Sequence, residues 1–509
     1  MNASDNNKRI AKNTLFLYFR QILIMAVSLY TVRVVLAALG EEDYGIYNVV
    51  GGFVAMFNIL SGALSVAISR FITFELGQPD VTLTRLQRIF SSSLIIQVVM
   101  GLIICLLIGT FGVWFVENKM VVPSGRLDVT LYVLFFSALS FFINLLSVPY
   151  NALIIAHEQM KAFAYISIVE AILKLTVAYL LIVASWDKLF LYAFCMVVVS
   201  LIVRSIYAIY CRHHFEECHF VWGFDKQLLS KMFTFSGWAF LGNGSVVLKE
   251  HGVNILLNIF CGPAVNAARG ITSQVANSVM LFVTNFMQAV NPQITKSYSS
   301  GDLLEMHRLI FKSSRFSFFL MLLLGLPLLK NVDFILGLWL VAVPDHTVLF
   351  IQLLLVFCMM DCLVYPLITG LLAEGNIRLY EIMLVILNVC NILFSYVALK
   401  LNYSPESVYV ISIILEIGIM ILRIWVSGRA YHLSIRVYCK EVIGRAFIVS
   451  VIAGSFTYLL SFHIINVWGN FIFMSLIVFF FTASVIYIIG LNCREREYVK
   501  DLLKSRLHL

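Results

Sequence analysis

Fourteen apolar stretches follow one another along the chain. Most come close to the ~20 residues an α-helix needs to cross a hydrocarbon core. The pattern places helices over residues 14–39, 45–70, 89–116, 129–153, 163–185, 188–210, 233–260, 266–290, 311–329, 347–372, 379–399, 406–427, 444–463 and 470–491. The expected fold class is an all-α polytopic membrane protein. The first twelve helices divide at the longest polar interruption, 211–232, which gives bundles over 1–232 and 233–430. Helices 13 and 14 and a basic tail fill 431–509.

The two bundles carry traces of one another. An offset of 222 residues sets Gly40 on Gly262, Ala67 on Ala289, Ile72 and Thr73 on Ile294 and Thr295, Asp80 on Asp302, and Ser91 and Ser92 on Ser313 and Ser314. A repeat of six helices keeps its orientation, so the halves are expected to be related by an axis along the membrane normal. Shared composition between membrane helices is the competing explanation.

Composition fits the pattern, with 61% hydrophobic and 13% charged residues and a mean hydropathy of +0.92. Lysines and arginines concentrate in the segments on one side, which marks that side as cytoplasmic and puts both termini there. The net charge of +8 therefore reads as membrane orientation, with no nucleic-acid partner. The first apolar run reads as helix 1 and not as a cleaved leader. The tail places Val499, Leu502, Leu503 and Leu507 among basic neighbours. It is either a surface helix on the inner leaflet or a basic terminus that helps fix topology.

Candidate chemistry lies in the polar residues stranded inside the helices. A cation at the centre of a span costs about 2.5–3.5 kcal/mol on insertion scales and usually marks a function, here an anion held in a watery cavity. Helix 1 puts Arg20, Gln21, Ser28 and Thr31 on one face, with Arg33 near its outer end. Helix 2 carries Asn48, Gly51, Asn58, Gly62, Ser65 and Ser69 along one arc, ending at Arg70. Such an arc of small residues more often serves close packing than binding. In helix 7, Asn243, Glu250, Asn254 and Asn258 form a polar stripe, which must face protein or water. Lys249 beside it either binds an anion or pairs with a neighbouring helix. Arg269 opens helix 8 after a Gly-Pro turn, among free backbone N–H groups.

Four carboxylates are candidates for ion coupling: Glu170, Glu250, Asp361 and Glu416. Glu170 stands one turn from Lys174 and is expected to pair with it. Glu416 shares a face with Arg423. Arg204 and Arg423 lie close enough to helix ends to snorkel. Asp361, beside Tyr365 and Pro366, is the carboxylate hardest to explain by pairing. The cluster CRHHFEECHF at 211–220 has ligand types for a metal but the spacing of no standard finger. A solvated inner loop with no metal is expected. No P-loop, GxSxG elbow or HExxH is present, and no cofactor is expected.

With these residues in place, the chain resembles the polysaccharide flippases of the Wzx type, within the multidrug/oligosaccharidyl-lipid/polysaccharide exporter superfamily. The resemblance rests on KNTLFLYFRQILIMAVSLYTVRVVLAALGEEDYGIYNVVGG, SRFITFELG, GPAVNAARGI and NPQITKSYSSGD. It looks most like the branch known from Bacteroides-type envelope gene clusters. It implies two six-helix bundles in a V around a central cavity, as in multidrug and toxin extruders (MATE), plus two extra helices. It implies a cargo of undecaprenyl-pyrophosphate-linked oligosaccharide, moved from the cytoplasmic to the periplasmic leaflet of a bacterial inner membrane for O-antigen or capsule synthesis. Further implied partners are membrane lipids, a polysaccharide polymerase and glycosyltransferases.

The matching cavity arginines are Arg20, Arg33, Arg70 and Arg269; Lys249 would assist, while Gln21, Asn243, Asn254 and Asn258 would meet sugar hydroxyls. A cation-exporting MATE is the rival reading, though helices 1 and 2 hold three arginines and no buried carboxylate. A polytopic glycosyltransferase or polymerase is a further rival. Such enzymes need a long outer loop with catalytic acids, and every outer segment here is short.

Overall fold

The computed structural model describes residues 3–118, 120, 122–123, 125–222, 225–340, 343–460, 467–492 and 495–497, and among these every regular element is helical. The tail residues Val499, Leu502, Leu503 and Leu507 lie outside the described residues. Contacts divide the chain into two compact units, Met1–Asn243 with Thr295–Gly301, and Gly244–Ile294 with Asp302–Leu509. The division falls inside one long helix and returns the end of the next helix to the first unit.

The first unit holds α1 (Ala3–Ala55), α2 (Asn58–Leu76), α3 (Leu83–Leu107), α4 (Val113–Asn118), α5 (Leu127–Ala156), α6 (Met160–Val183) and α7 (Lys188–His214). Helix α5 packs along α7, and α1 along α6. One core layer gathers Ile68, Phe90, Leu153 and Val203, and a second gathers Val50, Ile104, Leu134 and Phe141. Helix α1 is broken at Gly40, whose φ of 81° lies in the left-handed region that glycine enters without penalty.

Helix α8 (Lys226–Cys261) contributes its second half and helix α9 (Pro263–Ser299) most of its length to the second unit. There follow α10 (Leu303–Lys330), α11 (Val332–Trp339), α12 (Thr347–Glu374), α13 (Arg378–Lys400), α14 (Ser407–Ala430), α15 (Ile435–Tyr438), α16 (Arg445–Leu459) and α17 (Val467–Val485). Helix α12 packs between α10 and α14, while α16 and α17 both lie on α10. The helical continuation of α17, Ile486–Gly490, presses on α10 so closely that a Cβ at Gly490 would sit 2.7 Å from the Phe319 ring. Arg315 of α10 then pairs with Glu495 at 2.7 Å.

The 222-residue offset has structural counterparts. Gly262, which separates α8 from α9, has φ 85°, matching the break at Gly40. Ser91 and Ser92 are buried, as are Ser313 and Ser314. Glycine is needed at both joints for the same reason, a backbone conformation that a Cβ would strain.

Eleven helices among the described residues are long and apolar enough to cross a membrane, by length and composition. The three remaining expected spans, 45–70, 233–260 and 266–290, are not among those eleven; they are helical, the first with a break at 56–57. Polar helices at membrane depth must turn their polar side to protein or to a watery space. Helix α8, which carries the stripe Asn243, Glu250, Asn254 and Asn258, is thus the element on which a polar site is to be sought.

Candidate functional site

In the second unit, α8, α9, α12, α13 and α14 converge on a group of charged side chains. The Arg269 guanidinium donates to the Glu250 carboxylate at 2.7 Å and to the Glu250 backbone carbonyl at 3.3 Å. The Lys249 ammonium lies 3.8 Å from the same carboxylate. Two cations therefore share one anion. Their exposures differ sharply: the side chains of Arg269 and Lys249 are 10% and 11% exposed, that of Glu250 53%. Lys249 rests over the Phe357 ring at 5.2 Å and Arg269 over Tyr409 at 5.7 Å, cation–π contacts that favour burial of the charge. Lys249, Glu250, Arg269, Asn391 and Ser412 line a cavity of about 30 Å³. Asn391 donates to Ser412 at 3.1 Å, and its buried amide oxygen meets no donor among the described residues.

Local structure explains the convergence. Pro263 opens α9 at the first helical position, where its missing N–H costs nothing, and Gly262 supplies the joint. The chain folds back there, so Arg269 returns to the carboxylate of α8. Asn243 and Asn258 are exposed, and Asn254 is half-buried.

Asp361 does not stand alone, and Arg423 does not snorkel. The buried Arg423 guanidinium donates to Asp361 at 2.5 Å and to the Tyr380 hydroxyl at 3.2 Å, and lies 3.6 Å from Glu416. The Glu416 side chain is only 2% exposed. A buried guanidinium takes partners within the protein because a charge removed from water without them carries a large desolvation penalty. Lys249 is near enough to Glu416 for their charges to interact, which links this triad to the Arg269–Glu250–Lys249 group.

In the first unit the candidate cations are set on aromatic rings. Arg20 lies 4.8 Å over Phe163, and Arg70 lies among Phe71, Phe74 and Phe235 at 4.8, 4.6 and 5.6 Å. Gln21 is half-buried and Arg33 exposed. Glu170 accepts from Lys174 at 2.6 Å, the expected pair. Arg204 docks on Tyr150, donating to its hydroxyl at 3.3 Å, where snorkelling was expected. The stretch 211–220 is not a freely solvated loop. Phe215, Glu217 and Cys218 are buried, Glu217 pairs with His157, and the Cys211 thiol donates to the Tyr150 carbonyl.

Two ion clusters escaped the sequence reading. The Glu158 carboxylate, 1% exposed, takes Arg9 at 2.8 Å and Lys296 at 3.0 Å, while the Asn13 amide donates to its backbone carbonyl. Arg126 joins Asp43 and Asp187, the latter also capping α7 through the N–H groups of Leu189 and Phe190. Nothing in local spacing marks such clusters, since the bonded partners lie from 61 residues apart, for Arg126 and Asp187, to 149, for Arg9 and Glu158. Asn388 and Asn391, one turn apart in apolar α13, were the available signal for the second-unit site.

Residues 10–298 match the family model described as polysaccharide biosynthesis protein. No curated protein matches the chain. Among solved structures, a MATE in the bent conformation aligns with a TM-score of 0.73 at 13% identity, covering 86% of this chain and 97% of that one. A single-residue mutant of the Vibrio cholerae MATE transporter VcmN gives 0.70 at 14% identity, with 85% and 98% covered. An outward-facing multidrug resistance MATE of the MOP superfamily gives 0.70 at 13% identity, with 84% and 97% covered. At such identities these likenesses establish the fold, that of the MATE transporters, for a multi-pass membrane protein. Three of the four segments that carry the resemblance to polysaccharide exporters, 12–52, 69–77 and 262–271, fall inside the matched residues, and the fourth, 291–302, overlaps them up to residue 298. With 10–298 of its 509 residues matched, the chain belongs to the polysaccharide biosynthesis protein family.

Proposed function

We propose that the protein is a flippase that carries an undecaprenyl-pyrophosphate-linked oligosaccharide from the cytoplasmic to the periplasmic leaflet by alternating access, for surface polysaccharide synthesis. The observation that carries this reading is the pair of buried cations, Arg269 and Lys249, held by one half-exposed carboxylate, Glu250. Glu250 can swing into water, whereas the two cations cannot. Its departure leaves a positive pocket at membrane depth that a pyrophosphate refills, and guanidinium forks suit phosphate oxygens. Arg20, Arg33 and Arg70 add positive charge along the first unit, and Gln21, Asn243, Asn254 and Asn258 offer hydrogen bonds to sugar hydroxyls. The Asp361–Arg423–Glu416 triad, in electrostatic contact with Lys249, supplies the ion coupling. Glu170, neutralised by Lys174, is the weaker coupling candidate. In this reading the protein sits in the bacterial inner membrane with cytoplasmic termini, beside a polymerase and glycosyltransferases.

The test replaces Arg269 and Lys249 with alanine in cells lacking the native copy and scores surface polysaccharide. Export is expected to fall at least tenfold with the protein still present in the membrane. Wild-type export would refute the reading, and dye efflux by the wild-type protein would favour a multidrug exporter instead.

A further inference from the structure

Within the first unit, α1, α2, α5, α6 and α7 line a half-open cavity of about 230 Å³ that has no part in the cation site described above. Asn58, Ser137, Ser140 and Asn144 line it, together with the Glu170–Lys174 pair. Asn144, Glu170 and Ser200 lie near the middles of α5, α6 and α7, so the cavity sits at mid-membrane depth. Polar groups at that depth are tolerated where they meet one another, water or a ligand.

The lining chemistry narrows the ligand. Glu170 and Lys174 neutralise each other at 2.6 Å, so the lining carries no net formal charge. A pyrophosphate finds no uncompensated cation there, and a metal cation meets the Lys174 ammonium. What remains is a set of amides and hydroxyls facing Phe141 and Met196 on the apolar side. A sugar ring has the same two-sided character, with hydroxyls at its edge and C–H groups on its faces.

One hydroxyl of the lining lacks a partner among the described residues. Ser147 and Ser200 donate to carbonyls one turn back, at 3.3 and 3.0 Å, as helix serines do. The buried Ser140 hydroxyl makes no such bond and no other among the described residues. An orphaned buried hydroxyl at a cavity wall calls for an outside partner. The volume lies below the roughly 300–1,000 Å³ of drug-sized sites, on the scale of a single ring.

We propose that this cavity is a saccharide subsite, which receives one neutral sugar residue of the lipid-linked cargo while the pyrophosphate is held elsewhere. The proposal rests on the flippase reading and adds to it a place where the sugar is read. Two substitutions fill the cavity, Ser140→Phe and Asn144→Leu, and a third, Ser140→Ala, removes only the open hydroxyl and preserves the helix. Surface polysaccharide is scored in cells, and binding of farnesyl pyrophosphate, a prenyl pyrophosphate without sugar, is measured on purified protein.

Export is expected to fall at least tenfold in the filled variants and about threefold in Ser140→Ala, with farnesyl pyrophosphate affinity unchanged in all three. Wild-type export from Ser140→Ala and Asn144→Leu together overturns the subsite. So does a parallel loss of farnesyl pyrophosphate binding, which would place the effect on the headgroup or the whole fold. If the wild-type protein neither supports export nor binds farnesyl pyrophosphate, the flippase reading itself falls, a different outcome from equal behaviour of wild type and variants.

Discussion

Glu250→Gln isolates the charge that holds the two buried cations. The amide keeps the shape and one acceptor oxygen for Arg269 but removes the negative charge shared at 2.7 and 3.8 Å. Breaking a fully buried ion pair costs about 3–5 kcal/mol, and an exposed pair contributes only about 0–1 kcal/mol. Here the cations are buried and the anion is half exposed, so the cost lies between these limits, about 2 kcal/mol. The same figure is returned when an outside anion takes the vacant place, roughly a 30-fold gain in affinity. The assay is thermal unfolding of the purified protein in nanodiscs, titrated with inorganic pyrophosphate. Glu250→Gln is expected to melt earlier than wild type without pyrophosphate and to regain stability at lower pyrophosphate concentrations. Glu250→Gln combined with Arg269→Ala is expected to lose that gain. The reasoning is refuted if Glu250→Gln melts with wild type and binds pyrophosphate no more tightly, or if the double variant keeps the gain.

Two further predictions concern the ion groups that hold the fold. Arg423→Ala strands Asp361 and the buried Glu416 and is expected to cost about 3–5 kcal/mol, read as a loss of monodisperse protein. Adding Asp361→Asn and Glu416→Gln should restore the yield, and failure to do so would mean that packing and not charge governs the site. At Glu217, burial pushes the carboxyl up, but the hydrogen bond from His157 and its charge outweigh that and hold it below its ordinary value. A depressed carboxyl contributes its stability above its unfolded value, about 4.3, and loses it as pH falls through the folded value. Glu217→Gln should therefore melt earlier than wild type at pH 7, by about 1–2 kcal/mol of stability, and the gap should close on acidification. A gap that stays constant from about pH 7 to below about pH 4 would contradict this.

The helices were legible in the chain because membrane insertion imposes length and hydropathy residue by residue, with no tertiary contact required. The joints at Gly40 and Gly262 were visible for a similar reason. Each is a local backbone demand written as a glycine, and the same offset relates both. Pairing was legible only within one helix, as at Glu170 and Lys174 and at Glu416 and Arg423. Once partners lay on different helices, the sequence reading assigned the wrong environment. Arg423 seemed placed to snorkel and Asp361 to stand alone, yet each is the other's partner across 62 residues. Periodicity gives the face on which a charge lies but not the helix that covers that face.

That distinction also bears on how the cationic site works. A cation inside a span suggests an open positive cavity, but buried charge in low dielectric is not left uncompensated. The chain resolves this with counter-ions of graded exposure. Arg423 is fixed by two carboxylates, one of them 2% exposed, and such a triad has no vacancy to offer an anion. Arg269 and Lys249 share a carboxylate that is 53% exposed, so on the reading proposed above their compensation is exchangeable. An anion site and a structural ion pair can thus have the same residue types and the same distances. What separates them is whether the partner can leave, and on the flippase reading proposed above the second unit holds one of each, close enough for Lys249 to interact with Glu416. On that same reading, exchange of the Glu250 counter-ion for cargo alters the field at the Asp361–Arg423–Glu416 triad, which ties anion binding to ion coupling without direct contact between cargo and ion.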